Sequence, residues 1–259
     1  MGLNIKKGRQ KTPRRTLVYG TPGVGKSTFA AGAVNPLFIP VEDGIDDIDV
    51  DRVNKIVDVD QLMQVLRDVV SDEHDYKTLV IDSLSALETL IHAKVCKKYD
   101  VDSIEVAGGG YGKGYVEALN DFISILNALE YIRVEKDINI VLIAHDTVEL
   151  DPSPSTNSFQ KYYPRLHKRA RQKITEWCDE VLFAYFQVFT AQEDQGFSKK
   201  VTKAKGSQRM LLCDGAKGWA QAKNRLGMPE QIEMSWQEYQ KFIDGVNANG
   251  GFISFPIRR

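Results

Sequence analysis

The stretch Thr16-Leu17-Val18-Tyr19-Gly20-Thr21-Pro22-Gly23-Val24-Gly25-Lys26-Ser27-Thr28 decides the fold. Its apolar start is typical of a buried strand, and the residues after Gly25 continue as a helix. Between them, Gly20–Ser27 fits G-x-x-x-x-G-K-[ST], a loop whose backbone N–H groups converge on phosphate oxygens. The sequence therefore predicts a nucleoside triphosphate site formed by Gly20, Thr21, Pro22, Gly23, Val24, Gly25, Lys26, Ser27 and Thr28.

Two residues of this loop have predicted chemical roles. Lys26 reaches the β- and γ-phosphates, and the Ser27 hydroxyl binds Mg²⁺. A second apolar run, Lys77–Asp82, is typical of a buried strand that ends in a carboxylate. Asp82 is therefore predicted to hold the water shell of the same metal ion.

The residues near Asp82 narrow the class of nucleotide-binding protein. Ring ATPases of the AAA+ type place a water-activating glutamate directly after this aspartate, and here Ser83 follows. A GTPase would need an N-K-x-D motif after Asp82 to recognise the guanine base, and none follows. The expected ligand is therefore ATP with Mg²⁺. The base that activates water must then lie elsewhere. Glu42, which follows the apolar strand Pro36–Val41, is the stronger candidate, and Asp43 is the weaker one.

The order of predicted elements indicates an α/β fold. Strands alternate with helices as far as Trp177, which predicts a mainly parallel central sheet with helices on both faces. Short β-like runs after Glu180 predict antiparallel C-terminal strands. The predicted boundaries are a basic extension over residues 1–13, an ATPase domain over 14–246 and a tail over 247–259. We expect a cytoplasmic protein without membrane contact, because no signal peptide or membrane span is recognisable.

The three cysteines are widely separated and predict neither a disulfide framework nor a zinc site. The 34 basic and 35 acidic residues balance in number but not in position. Basic residues cluster before Thr16 and again between Lys161 and Lys173, which predicts candidate polyanion-binding surfaces.

These motifs resemble the RecA/RadA/DnaB group of ATPases. The resemblance implies a RecA-like core with Glu42 as the catalytic base. It also implies that His145 senses the γ-phosphate, at a position where the group usually has glutamine. Lys223-Asn224-Arg225-Leu226-Gly227 is similar to an element whose lysine and arginine reach the ATP of a neighbouring subunit. Lys223 and Arg225 would share one face of a strand, in a homo-oligomeric ring or filament with ATP at its interfaces. An exposed basic strand edge is the alternative.

The same resemblance implies contact with single-stranded DNA through two loops. The first is the glycine-rich segment 107–115, and the second runs over 146–163 into a basic helix. Aromatic rings stack on bases and cations neutralise phosphates. The alternatives are a surface loop and a solvated helix face. The predicted DNA contacts are Tyr111, Lys113, Tyr115, Lys161, Arg165, Lys168, Arg169 and Arg171.

Over residues 14–240 the chain resembles phage-encoded, single-domain RecA-like ATPases, which include the Sak-type annealing and recombination proteins. This implies DNA annealing or strand exchange in a phage-infected or prophage-bearing bacterium, with a single-strand-binding protein as a further partner. Two other functions stay open. One is a DNA-independent ATPase switch, and the other is a replication accessory or helicase loader that acts through protein partners.

Overall fold

The computed structural model describes residues 5, 7, 12–152, 157–194, 200–215 and 218–245. Within these residues the chain forms an eight-stranded sheet, a separate two-stranded hairpin and six α-helices. The strands are β1 (Arg15–Gly20), β2 (Pro36–Pro40), β3 (Asp51–Arg52), β4 (Thr78–Asp82), β5 (Asn139–Ala144), β6 (Asp146–Asp151), β7 (Phe159–Pro164), β8 (Glu180–Asp194), β9 (Lys200–Leu212) and β10 (Gln231–Glu233). The helices are α1 (Lys26–Ala31), α2 (Val59–Ser71), α3 (Leu84–Tyr99), α4 (Lys113–Glu135), α5 (Lys168–Trp177) and α6 (Trp236–Ile243).

The main sheet has the strand order β10-β9-β8-β1-β5-β4-β2-β3. All pairs from β8 to β3 are parallel, whereas β9 and β10 pair antiparallel. The predicted fold, a mainly parallel sheet with antiparallel C-terminal strands, is therefore confirmed. Val18 pairs with Ile143, Ile143 with Asp82, and Asp82 with Pro40. The carboxyl ends of four strands thus meet at one edge of the sheet.

Apolar side chains cover both faces of the sheet, as the alternation of residues along each strand requires. On one face, Leu17 and Tyr19 of β1 lie in a core shared with α2, α3, α4 and α5. On the other face, Val18 packs with residues of α1 and α6. Among the described residues no helix combines the length and apolar character needed to cross a lipid bilayer.

The start of α4 differs from the sequence prediction. The segment 107–115 was expected to lie outside regular structure, but α4 begins at Lys113 after a short 3₁₀ turn, Ala107–Gly109. Gly112 precedes the helix with φ 75°, in the left-handed region that suits glycine. Gly114 packs so closely that a Cβ there would lie 2.1 Å from the Ile104 carbonyl oxygen. Gly112 therefore allows the helix to begin, and Gly114 allows it to pack closely. The prediction was wrong for residues 113–115, which are helical.

The second expected loop also contains regular structure. β6 pairs antiparallel with β7, from Asp146 opposite Pro164 to Asp151 opposite Phe159. Prolines and serines near the turn dominate the composition of this segment and conceal its strands, which have no continuous apolar run. The hairpin begins directly after His145, so it extends from the carboxyl end of β5.

A buried charge joins the beginning and end of the described domain. The Glu180 side chain is fully buried. Its carboxylate accepts hydrogen bonds from the Arg14 guanidinium and, at 3.2 Å, from the Tyr239 hydroxyl. Burial raises the pKa of Glu180, and the hydrogen bond from Arg14 opposes that rise. One carboxylate therefore connects β8 with α6 and with the residue directly before β1.

Arg14→Ala should destabilise the protein by about 3–5 kcal/mol, because it leaves the buried Glu180 charge without its cation. Urea unfolding at pH 8 measures this loss. The double variant Arg14→Ala/Glu180→Gln serves as control and should recover part of the stability, since a neutral amide needs no counter-ion. A single variant within about 0.5 kcal/mol of the parent, the range of ordinary surface changes, would contradict this account.

Candidate active site

The loop between β1 and α1 has the backbone conformation that phosphate binding requires. Gly23 and Gly25 have φ of 77° and 99°, a region that non-glycine residues rarely adopt. At Gly20 a Cβ would lie 2.2 Å from the carbonyl oxygen of Ala184 on β8, so only glycine fits. Val24 is buried and fixes the middle of the loop, whereas Thr21, Pro22 and Thr28 are exposed.

Lys26 lies within this loop rather than in solvent. Its Nζ donates hydrogen bonds to the carbonyl oxygens of Gly20 at 2.8 Å and Thr21 at 2.9 Å. Burial lowers the pKa of Lys26, while the nearby carboxylates of Asp82 and Glu42 oppose that shift. The loop therefore holds a buried ammonium beside its backbone N–H groups, as a phosphate cradle needs.

Ser27 and Asp82 are in direct contact. The Ser27 hydroxyl donates to Asp82 Oδ2 at 2.5 Å. Burial raises the pKa of Asp82, and the hydrogen bond from Ser27 opposes the rise. A hydroxyl and a carboxylate are hard oxygen ligands that fit Mg²⁺, which usually completes its shell with water and phosphate. No cluster of three or more His, Cys, Asp or Glu ligands occurs among the residues described. The donor set thus fits a magnesium ion shared with a nucleotide.

Glu42 and His145 form the second pair at this edge of the sheet. His145 Nε2 lies 2.9 Å from Glu42 Oε1 and 3.2 Å from Oε2. This hydrogen bond is the largest cause of the lowered pKa of Glu42. The backbone N–H of Val41 donates to the Asp82 carbonyl at 2.6 Å, which keeps Glu42 beside β4. The two residues predicted to face the γ-phosphate separately are therefore hydrogen-bonded to each other.

The weaker candidate base, Asp43, has a different environment. Its side chain is 83% exposed and pairs with Lys55 at 2.6 Å. Nothing in this position directs the Asp43 carboxylate towards Ser27 or Asp82. The geometry favours Glu42 as the base.

His145→Ala should move the acid limb of the pH–rate profile of hydrolysis to higher pH. The hydrogen bond from His145 holds the pKa of Glu42 below its ordinary value, so its loss raises the pH at which the carboxylate becomes protonated. His145→Gln is the matched control, because its amide can still donate and should keep the limb near its parental position.

Glu42→Gln completes the set, and should bind nucleotide while losing hydrolysis at every pH. If the profiles of the alanine and glutamine variants coincided with the parental profile, the pairing of Glu42 with His145 would be irrelevant to hydrolysis. A Glu42→Gln variant with parental turnover would assign the base elsewhere.

Lys223 and Arg225 do not share the face of a strand, and that expectation was wrong. Lys223 forms only an isolated bridge with Val181. Its Nζ donates to three carbonyl oxygens at the C-terminal end of α5, those of Thr175 at 3.0 Å, Glu176 at 2.9 Å and Cys178 at 2.5 Å. Arg225 is 52% exposed and pairs with Asp179 at 2.9 Å. A lysine ammonium binds favourably to the free carbonyl groups at the end of a helix, which explains why Lys223 points to α5 and not in the same direction as Arg225.

Arg225 lies far from the P-loop of its own subunit. Its partner Asp179 also pairs with Arg15, at the amino end of β1. Gly20 closes the other end of β1, five residues or about 17 Å away at the usual rise of a strand. Arg225 therefore lies beyond the reach of a nucleotide in the P-loop of the same chain.

The predicted DNA-contacting residues divide into two groups. Arg171 is buried and makes a bidentate pair with Glu149, at 2.6 and 2.9 Å, and Lys161 pairs with Asp151 at 3.1 Å. The Tyr115 ring stacks on His167 with 3.9 Å between ring centroids. The others are exposed, namely Tyr111, Lys113, Arg165, Lys168 and Arg169.

Two contacts connect these segments. The stack of Tyr115 on His167 brings the start of α4 against the start of α5. Below it, the Glu88 carboxylate accepts hydrogen bonds from the His167 N–H at 2.9 and 3.0 Å, and burial raises the pKa of Glu88 to about 7. The two segments predicted to contact DNA are therefore adjacent in the fold.

Backbone hydrogen bonds also join the base of the hairpin to His145. The Arg165 N–H donates to the His145 carbonyl at 2.9 Å. The Ser85 hydroxyl accepts from the His145 N–H and donates to the Arg165 carbonyl, each at 3.1 Å. His145 is thus linked to the first exposed cation after β7.

The sequence did not single out Arg209, which lies next to the P-loop. An added Cβ on Gly25 would be 3.3 Å from its Nη1 atom. Arg209 reaches this place from β9, through the pairing of β9 with β8 and of β8 with β1. No local motif signals this long-range arrangement.

The fold and the site define a P-loop nucleotide-binding protein. Residues 12–226 match a protein family described as an AAA domain, and this match covers most of the chain. The chain therefore belongs to this family of P-loop AAA-type ATPases, and membership implies an NTPase. Ser83 after Asp82 argued against the AAA+ type, yet it does not exclude the chain from a family with this description.

The chain is also similar to the SPbeta prophage-derived uncharacterized protein YorG of Bacillus subtilis (strain 168). The two are 23% identical over 180 residues, which covers 64% of this chain and 49% of that protein. The chain thus spans about half the length of this relative, and the relation to a prophage protein is distant.

Proposed function

We propose that the protein is a RecA-like ATPase that binds single-stranded DNA and promotes annealing or strand exchange in phage recombination. The observation that carries this proposal is the hydrogen-bonded link from His145 through Ser85 to Arg165. One end of the link lies beside the candidate base Glu42, and the other begins a run of exposed cations. Such a link can make DNA binding depend on the state of the nucleotide.

Hydrolysis would use the residues at the carboxyl edge of the sheet. Lys26 and the loop N–H groups would hold the phosphates of ATP, and Ser27 and Asp82 would hold Mg²⁺, which offsets phosphate charge when bound. Glu42 would accept a proton from water as the water oxygen bonds to the γ-phosphorus. The bond to the β–γ bridging oxygen breaks, and ADP and phosphate leave.

Arg225 would complete this site in a neighbouring subunit. It is half-exposed, and through Asp179 and Arg15 it lies at the amino end of β1, opposite the P-loop of the same chain. Positive charge supplied in trans stabilises the charge that develops during phosphoryl transfer. This supports a homo-oligomer with ATP at the interfaces.

A second candidate function is an ATPase that acts through a protein partner, as a switch or a helicase loader. The observation that favours it is the exposed apolar side chains of the hairpin, with Leu150 67% and Val148 45% exposed. Exposed apolar residues that cluster on one element are typical of protein contacts. The hairpin would then bind a partner rather than DNA.

Single-stranded DNA should raise the rate of ATP hydrolysis at low salt. The triple variant Arg165→Ala/Lys168→Ala/Arg169→Ala should lose most of this stimulation. The plot of log affinity against log salt should also become less steep by about 2, because each of three lost phosphate contacts contributes about 0.7 to the slope. Turnover assays and DNA titrations by fluorescence anisotropy measure both effects.

The matched control removes three exposed cations elsewhere, Arg67, Lys77 and Lys97, and should keep the stimulation. If DNA changed neither turnover nor anisotropy in the parent, the proposed DNA-dependent function would be wrong. The protein-partner function would then be the better one.

Mixed subunits test the role of Arg225. Lys26→Ala subunits lack their own phosphate site but still present Arg225, whereas Arg225→Ala subunits have the reverse defect. A mixture of the two should regain hydrolysis that neither has alone, since one interface in the mixture is complete.

A mixture of Lys26→Ala with Glu42→Gln is the control, and should regain nothing because both variants lack a residue of the same half-site. Native mass spectrometry would confirm that mixed oligomers form. Mixed oligomers without recovered activity in the first mixture would contradict a shared site.

A further inference from the structure

A cleft of about 320 Å³ lies beside the P-loop, between α1 and the chain that leads from β10 into α6. This volume falls in the range of small-molecule sites. Thr28, the residue directly after Ser27, lines the cleft. The P-loop, in which the proposed function assigns Lys26 to the phosphates and Ser27 to Mg²⁺, therefore leads directly into this cleft.

Arg209 forms one wall of this cleft. Arg209 is exposed, and within the part of the chain that the structure describes its guanidinium has no carboxylate partner. The Arg209 carbonyl accepts from the Met234 N–H at 3.0 Å, which fixes its backbone. The guanidinium lies 5.9 Å from the Phe186 ring centroid. A positioned cation without a carboxylate can bind an anionic ligand.

Gly25 gives the guanidinium this position. With φ 99° it adopts a conformation that other residues avoid, and an added Cβ would lie 3.3 Å from Nη1 of Arg209. The absence of a side chain at residue 25 thus lets the cation approach the backbone of the phosphate loop. Arg209 comes to the loop from β9, independently of Lys26.

The rest of the cleft has an apolar floor and a polar rim. Phe29 and Trp236 form the floor, with 5.2 Å between their ring centroids. An added Cβ on Gly32 would lie 2.8 Å from Trp236 Cβ, so α1 and α6 are in close contact and the floor is preformed. Thr28, Ser235 and Gln237 supply polar groups around it. An apolar floor of two aromatic rings with a polar rim suits a sugar and a base.

We propose that this cleft holds the nucleoside end of a nucleoside triphosphate and that Arg209 binds the phosphate nearest to the sugar, in the same subunit. The proposal rests on the nucleotide binding of the proposed function but not on DNA. Arg209 then differs from Arg225 in the subunit that it serves. The cleft would contribute affinity that the phosphate groups alone do not supply.

Calorimetric titration of the whole protein with Mg²⁺, without DNA, tests this. Gln237→Trp should fill the exposed rim, weaken ATP binding about 10-fold or more and change the binding of inorganic tripolyphosphate less than about 2-fold. Arg209→Ala should weaken ATP and ADP binding about 10-fold or more, the effect of losing one hydrogen bond to a charged group.

Gln208→Ala is the matched control, because adjacent residues of β9 point to opposite faces of the sheet. It should bind ATP like the parent. Circular dichroism melts would show whether each variant is folded, and Ser235→Trp is a second filling variant if Gln237→Trp does not fold.

Each result decides the proposal. Parental ATP affinity in both the filled and the Arg209→Ala variants would overturn it while leaving the P-loop function intact. Equal weakening of ATP and tripolyphosphate in the filled variant would also overturn it, because the nucleoside would then not be what the cleft holds. A parent protein that bound neither ligand would overturn this inference together with the proposed ATPase.

Discussion

The hydrogen bond from Ser27 to Asp82 is the interaction on which the rest of the site depends. Asp82 ends β4, whereas Ser27 lies in α1, which follows β1. Because β5 lies between β1 and β4, the contact bridges two strands about 10 Å apart at the usual strand spacing. This contact requires the carboxyl ends of β1, β5 and β4 to lie level. His145 directly follows β5 of this set, and Glu42 comes two residues after β2, which pairs in register with β4, so both residues lie at the same edge.

The hydrogen bonds between His145 and Arg165 connect this edge of the sheet with an exposed cation at the base of the hairpin. This link consists of backbone groups and one serine hydroxyl, so its length is fixed and it does not depend on flexible side chains. A change in the position of His145 must either break these hydrogen bonds or move the base of the β6–β7 hairpin. A contiguous hydrogen-bonded connection of this kind is one physical means by which two sites are coupled.

The mainly parallel central sheet and the P-loop could be predicted from the sequence, because both depend on local patterns of apolar residues and on one motif. The start of α4 could not, since the glycines at 112 and 114 have roles set by close packing against Ile104. The position of Lys223 depends on the end of α5, far away in the chain. Arg209 depends on the register of three strands, which no local pattern specifies.

Lys223 has a mechanical consequence. Because its ammonium uses its donors on three carbonyls of α5, withdrawal of the side chain alone would leave the end of that helix without partners. The less costly movement is for the segment that carries Arg225 and the helix that carries Arg169 to travel together as one rigid unit. A displacement of the segment that carries Arg225 would therefore rotate α5 as a whole, rather than cause a local rearrangement.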